Sequence, residues 1–279
     1  MPPRTDDTNA APNPEIEAAK LEAAKVPRVT VYFWVVKILT TAMGEAVSDY
    51  LVHTFNPYVA VTAGFAAFAV AMAIQFRARA YVPWIYWLAV AMVAVFGTMS
   101  ADVLHVEFHV PYIASTLLFA VALVVVFGTW QRSEGTLSIH SIVTRRREAF
   151  YWAAVLATFA MGTAAGDLAA YTAGLGFLSA GLVFLAVFAL PGIAYRLLRI
   201  NAILAFWFAY VMTRPLGASF ADWTGKSRHA HGLGYGDGPV AAVLALLIVV
   251  LVAYLTVTGR DRQPRLAGTA LPGLAHDPA

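Results

Sequence analysis

The chain has 279 residues, of which 60% are hydrophobic and 13% charged, about half the charged share of a typical water-soluble domain. That balance argues against a soluble enzyme: at roughly 20 to 25 residues per apolar crossing it leaves room for about eight membrane helices and no separate soluble domain. The net charge of +3 does not point to nucleic acid, because the basic residues form no stripe or run, and with no cysteine there is no disulfide framework, thiolate metal site or cysteine nucleophile.

Residues 1–28 form a tail rich in Pro, Asp, Asn and Ala, without the basic-then-apolar order of a cleavable signal peptide. It reads as disordered and cytoplasmic, apart from EIEAAKLEAAK, whose Ala, Glu and Lys at helical spacing favour a short polar helix. Apolar spans follow at about 29–54, 58–76, 82–105, 110–130, 149–172, 174–195, 198–223 and 239–258, and residues 259–279 form a second cytoplasmic tail. Eight crossings put both termini on one side; a sixth or seventh span lying in the interface would make the count odd.

Lysine and arginine set the orientation, since cationic loops stay on the cytoplasmic side. Lys20, Lys25 and Arg28 precede the first span, Arg77 and Arg79 follow the second, Arg132 and Arg145, Arg146 and Arg147 follow the fourth, Arg196 and Arg199 the sixth, and Arg260, Arg262 and Arg265 the eighth. The alternate loops hold only Lys226 and Arg228. Both termini are therefore expected in the cytoplasm, with every odd span running from inside to outside.

A fourfold repeat runs through these spans. TTAMGEAVSDYL, FGTMSADVL, TFAMGTAAGDLAA and TRPLGASFADW each carry Gly, then Asp five positions later: Gly44 and Asp49, Gly97 and Asp102, Gly162 and Asp167, Gly217 and Asp222. Asp49 to Asp167 is 118 residues and Asp102 to Asp222 is 120, which points to a doubled four-helix unit. The fold class expected is an all-α polytopic membrane protein of four parallel two-helix repeats, at about 29–76, 82–130, 149–195 and 198–258, related by an axis along the membrane normal.

Positions four and eight before each aspartate share its helix face. Thr41, Glu45 and Asp49 fall on one stripe, Thr98 and Asp102 on a second, Thr163 and Asp167 on a third, and Arg214, Ala218 and Asp222 on the fourth, with Lys37 extending the first stripe towards the cytoplasm. Beside them runs a seam of small residues, which lets helix backbones approach closely. A lone charge at mid-membrane costs on the order of 2.5 to 3.5 kcal/mol, so five carboxylates against Lys37 and Arg214 as counter-charges call for a mobile cation or shared protons. The bland alternative is end caps and buried ion pairs. Pro215 frees a backbone carbonyl in mid-helix, as at discontinuous transport helices, and Arg214 is expected to contact a carboxylate.

Histidines supply a second pattern on the predicted outer face. His53 lies one turn beyond Asp49, His105 three residues beyond Asp102, and His105 and His109 bracket Glu107. Imidazole with carboxylate suits Zn, Mn, Ni or Fe, so His53, His105 and His109 join the acids as candidate metal ligands. RHAHGLGYGDG reads as a flexible loop and not a phosphate cradle.

The motifs KILTTAMGEAVSDYL (37–51), ATFAMGTAAGDL (157–168) and YVMTRPLGASFADW (210–223) resemble the bacterial membrane-anchored protein family of four tandem two-helix repeats, a family without a known function. The resemblance covers about residues 29–258 and implies eight helices in repeats, not a substrate. From the residues themselves, the function expected is a secondary transporter of a divalent metal such as Mn²⁺, with Glu45, Asp49, Asp102, Asp167 and Asp222 as ion or proton path and Thr41, Thr98 and Thr163 as hydroxyl ligands. The alternatives are a proton-coupled carrier of a small organic solute, a non-catalytic scaffold or sensor, and an intramembrane zinc enzyme, for which HExxH and a nucleophile elbow are both missing. No tightly bound cofactor is expected; the partners are the lipid bilayer and a metal ion or proton, and the oligomeric state stays open.

Overall fold

The structure, a computed structural model, describes residues 24–262. The EIEAAKLEAAK stretch up to residue 23, and the tail beyond 262 with Arg265, lie outside them. The described chain forms eight long helices: α1 (Val31–Thr54), α2 (Pro57–Arg77), α3 (Pro83–Val106), α4 (Tyr112–Glu134), α5 (Arg145–Asp167), α6 (Gly176–Leu198), α7 (Ala202–Gly225) and α8 (Asp237–Thr258). Local signals set their ends. Asn56 and Asn201 cap α2 and α7 by accepting from the next turn's amides, Thr144 caps α5, and Pro57 and Pro83 open their helices where an amide has no partner to lose. Past Asp167 the chain of α5 widens into a π-helical turn, Leu168–Thr172.

Seven of these helices, α2 to α8, are long and apolar enough to cross a membrane. The eighth, α1, has 24 residues, about 36 Å at 1.5 Å per residue, which is also enough. It falls outside the apolar set because it carries Lys37, Glu45 and Asp49, and all three are buried within the protein. The polypeptide is a multi-pass membrane protein.

Burial separates two layers. At most 22% of the apolar stretch of α2, α4, α6 or α8 is buried, against 56 to 61% for α3, α5 and α7, so the even helices face lipid and the odd helices form the core. Within the core, α1 packs on α3, α3 on α5, α5 on α7, and α7 back on α1, a closed four-helix ring. The even helices do not pack chiefly on the odd helix of their own repeat. Instead α2 lies on α3, α4 on α5, α6 on α7 and α8 on α1, so each repeat passes its second helix to the next and the last closes on the first.

Contacts at two levels repeat this fourfold order. A side chain built on Gly44 would run into Ala94, on Gly97 into Phe159, on Gly162 into Arg214, and on Gly217 into Thr41. Each of those neighbours stands three residues before the glycine of its own repeat, so every glycine seats the following helix at one height, which requires parallel odd helices. Further towards the N-terminal ends, each odd helix carries an aromatic pair: Phe33 and Trp34, Tyr86 and Trp87, Tyr151 and Trp152, Phe206 and Trp207. The first ring of each pair packs on the tryptophan of the next repeat, Phe33 on Trp87 at 5.7 Å, Tyr86 on Trp152 at 5.6 Å, Tyr151 on Trp207 at 6.1 Å and Phe206 on Trp34 at 5.7 Å. This aromatic collar fills the bundle axis at the basic end.

Beyond the collar the basic end is tied shut. Lys25 is buried and donates to Glu148 of α5 at 2.6 Å, while Gln75 of α2 donates to the other oxygen of the same carboxylate at 2.9 Å. Arg28 donates its amide to the carbonyl of Asp261 at 2.8 Å, and the Asp261 carboxylate accepts from Tyr81. The segment before α1 is thus fastened on one side to α5, whose Glu148 also holds α2, and on the other to the chain after α8.

Candidate functional site

Because the odd helices are parallel and in register, residues at equal spacing from the repeated aspartate fall in tiers around one axis. The tier of the aspartates themselves is Asp49, Asp102, Asp167 and Asp222. One turn towards the N-terminal ends lie Glu45, Thr98, Thr163 and Ala218; a turn further, Thr41, Ala94, Phe159 and Arg214; a turn further again, Lys37, Val90, Val155 and Tyr210. One turn the other way lie His53, Val106, Tyr171 and Lys226.

A cavity of about 390 Å³ occupies the C-terminal half of this axis. Its walls include all four aspartates, Glu45, all four members of the His53 tier, and Glu107 and Tyr112 at the rim. Six carboxylates and one lysine line it, and His53, Val106, Glu107 and Tyr171 are exposed, so the cavity opens at the C-terminal ends of the odd helices.

Arg214 forms the floor. It is fully buried, and its Nη2 donates to the Glu45 carboxylate, to Thr98 Oγ1 and to Thr163 Oγ1, the last at 2.6 Å. One guanidinium thus bonds to the other three core helices at the tier where its own helix carries only Ala218. Two of the predicted hydroxyl ligands, Thr98 and Thr163, are taken up in this tie. The third, Thr41, donates to the carbonyls of Ile38 at 2.6 Å and Thr213 at 3.1 Å, joining α1 to α7 away from the cavity wall.

Below the floor, Lys37 makes no contact with the acids. Its Nζ stands 3.9 Å from the centre of the Phe159 ring and 4.3 Å from that of Tyr210, buried and without a hydrogen-bond partner among the described residues. The cation that meets the acids from the open side is Lys226, at the C-cap of α7: its ammonium pairs with Asp49 and stands 4.0 Å from Asp222 and 3.9 Å from Asp237. Burial alone would lower the lysine's pKa; the Asp49 and Asp222 carboxylates outweigh it and hold the group above its ordinary value. Sequence reading took Lys226 for a loop charge, although its place four residues after Asp222 was the available signal.

Glu45, Asp49 and Asp222 each offer an oxygen within 4.8 Å of the other two, the geometry of a metal-binding triplet, and this is the only such cluster among the described residues. Asp102 and Asp167 share the cavity without joining the cluster or any ion pair among the described residues. The three histidines stand apart from it. His53 borders the mouth, but its Nδ1 is bonded to the Asp49 carbonyl at 2.7 Å; His105 Nδ1 is bonded to the Val110 carbonyl at 2.7 Å and its ring stacks on Tyr112; His109 is exposed, with a left-handed backbone at φ 52°.

A family model described as Repeat of Unknown Function (DUF347) matches four times, over residues 32–81, 85–136, 150–201 and 205–261. The chain belongs to the DUF347 repeat family. Each match spans one odd and one even helix, so the family's unit is the two-helix repeat whose aspartates meet at the cavity. No curated protein and no solved structure matches the chain.

Proposed function

We propose that this DUF347 protein is a secondary membrane transporter, acting in a bacterial inner membrane, whose substrate is a small cation of the divalent-metal class, Mn²⁺ being representative. The observation that carries the reading is the convergence of four repeat-equivalent aspartates on one cavity. A carboxylate in a spanning helix is costly unless something positive meets it, and here five line one cavity, with Glu107 at its rim, while among the described residues Lys226 on the wall and Arg214 beneath are the cations paired with them. Hard oxygen donors at the Glu45, Asp49 and Asp222 triplet suit Mn²⁺ or Mg²⁺.

The axis is open at one end and shut at the other by the Arg214 floor, the Lys37 tier, the aromatic collar and the Lys25 clasp. That corresponds to one face of an alternating-access cycle, and the repeats supply the pseudo-symmetric halves that such cycles rock against each other. On the topology read from the arginines, the open end faces outward. Protons, carried on the acids that no cation occupies, are the simplest coupling ion for a chain without a nucleotide-binding motif. No histidine joins the acid triplet among the described residues, which favours transport over a hydrolytic zinc centre.

A second reading, carriage of a small organic cation, is favoured by one observation. At about 390 Å³ the cavity lies in the range that holds small molecules, and Tyr112 and Tyr171 stack at its rim with ring centres 6.0 Å apart.

The test is flux into proteoliposomes across a panel of divalent metals and small amines, with internal pH followed in parallel. Asp102→Asn is the variant to compare, because it removes an ionisable carboxyl from the cavity and breaks no ion pair among the described residues. Metal flux that falls at least about tenfold in the variant, a loss of roughly 1.4 kcal/mol of transition-state stabilisation, supports the proposal. Flux equal to wild type contradicts it, and flux of amines alone selects the second reading.

A further inference from the structure

Among the described residues Lys226 is the one Lys or Arg side chain on the cavity wall, and the fold pins its backbone. Its amide donates to the Asp222 carbonyl at 2.8 Å, closing the last turn of α7, and the chain that follows folds back along that turn. Leu233 donates to the Trp223 carbonyl at 2.7 Å, Tyr235 to Thr224 at 3.1 Å and Gly236 to Gly225 at 3.0 Å, while Gly234 donates to the carbonyl of Lys226 itself at 2.9 Å. Gly234 and Gly236 take the left-handed φ values, 81° and 85°, that this return requires.

With the backbone pinned, the mobile part of Lys226 is its four-carbon stem. At the tip, the ammonium sits against two of the three acids of the triplet, paired with Asp49 and 4.0 Å from Asp222, yet the side chain keeps 21% of its surface exposed, so a route out to solvent lies beside it. The equivalent positions in the other repeats are His53, Val106 and Tyr171, none of which carries a fixed charge. A compact ammonium on a flexible stem is a point charge of the same sign as the proposed substrate.

We propose that Lys226 is a tethered competitor: its ammonium occupies the Glu45, Asp49 and Asp222 site when no substrate is bound, and a divalent cation enters by displacing it towards the mouth. This rests on the cation-transport reading and adds to it how the site is regulated. Filling the site from within neutralises part of the carboxylate charge in the empty carrier. It also lowers apparent affinity by the fraction of time the lysine is seated, about tenfold if that fraction is nine-tenths. When the substrate leaves, the same ammonium returns, so the acids are not left bare in either state.

The experiment measures Mn²⁺ binding to the purified full-length protein in detergent, by the electron paramagnetic resonance signal of free Mn²⁺, for wild type, Lys226→Met, Lys226→Arg and Asp49→Asn. Lys226→Met is expected to bind about tenfold more tightly, Lys226→Arg near wild type, and Asp49→Asn more weakly. Wild-type or weaker affinity in Lys226→Met overturns the competitor role while leaving the cation site standing, whereas an unchanged affinity in Asp49→Asn overturns the cation site itself. A second measurement uses the unmutated chain: acylation of Lys226 by an amine reagent, read by mass spectrometry, is expected to rise when Mn²⁺ is added. Labelling that stays level or falls contradicts the displacement.

Discussion

Arg214→Met is expected to be among the most damaging single substitutions in the core. It removes the only ion-pair partner Glu45 has among the described residues, and it takes a donor from Thr98 and Thr163, all inside the membrane-spanning bundle. Removing one member of a buried ion pair costs about 3 to 5 kcal/mol, because the charge left behind loses its counter-ion. For a chain of this size about 1 kcal/mol moves the unfolding midpoint by roughly 2 to 4 °C, so a drop on the order of 10 °C is expected. The assay is thermal unfolding of the purified protein in detergent, followed by tryptophan fluorescence. Glu45→Gln with Arg214→Met in the same chain removes both charges, and the double variant should recover at least about 1 kcal/mol relative to the sum of the single effects. Strict additivity would refute the pairing, and with it the tie that closes the cavity floor.

Glycine gives a paired prediction. Gly44→Val places a side chain against the backbone of Ala94, which cannot yield, and should cost about 1 to 3 kcal/mol or prevent assembly, whereas Gly128→Ala meets nothing within 4 Å and should be neutral or stabilise by up to about 1 kcal/mol; thermal scans separate the two. Breaking the basic-end clasp with Lys25→Met should loosen the closed side. Since the chain has no native cysteine, Tyr210→Cys placed on the axis reports this directly, labelling faster from the basic side in the Lys25→Met background and equally slowly if the clasp does not hold that side shut. The pairing of Lys226 has a signed pH signature. A lysine pKa raised by folding stabilises below the unfolded value and loses that stability only as pH rises through the folded one, so the midpoint difference between wild type and Lys226→Met should be flat from about pH 6 to 9 and shrink only above roughly pH 10. A difference that vanishes already at pH 8 would contradict the ion pair.

The eight helices and the fourfold repeat were legible in the sequence because both are written in local patterns: apolar length, arginine placement, and glycine followed five positions later by aspartate. The convergence of Glu45 and the four aspartates on one cavity followed from helical spacing once the odd helices were taken as parallel. What stayed hidden depends on which helices become neighbours. In lipid the even helices are apolar all round, so hydropathy says nothing about α2 lying on α3 or α8 closing on α1. The aromatic pair that opens each odd helix was a repeat in plain view, but it is built of residues any membrane helix contains, and its meaning comes from each ring packing on the next repeat's tryptophan. Lys37 and Lys226 illustrate the same point from opposite sides. Lys37 shares a helix stripe with Asp49, yet three turns separate them and its ammonium lies between two aromatic rings. Lys226, read as a topological marker, is the cation that meets the acids.

Crystals of the protein soaked with Mn²⁺ and measured at the manganese absorption edge give the most direct check on where a cation sits. The account predicts an anomalous peak on the bundle axis beside Glu45, Asp49 and Asp222, with the Lys226 side chain turned away towards the cavity mouth. A peak confined to His53, His105 or His109 at the surface, or a cavity with no peak at all, would contradict it.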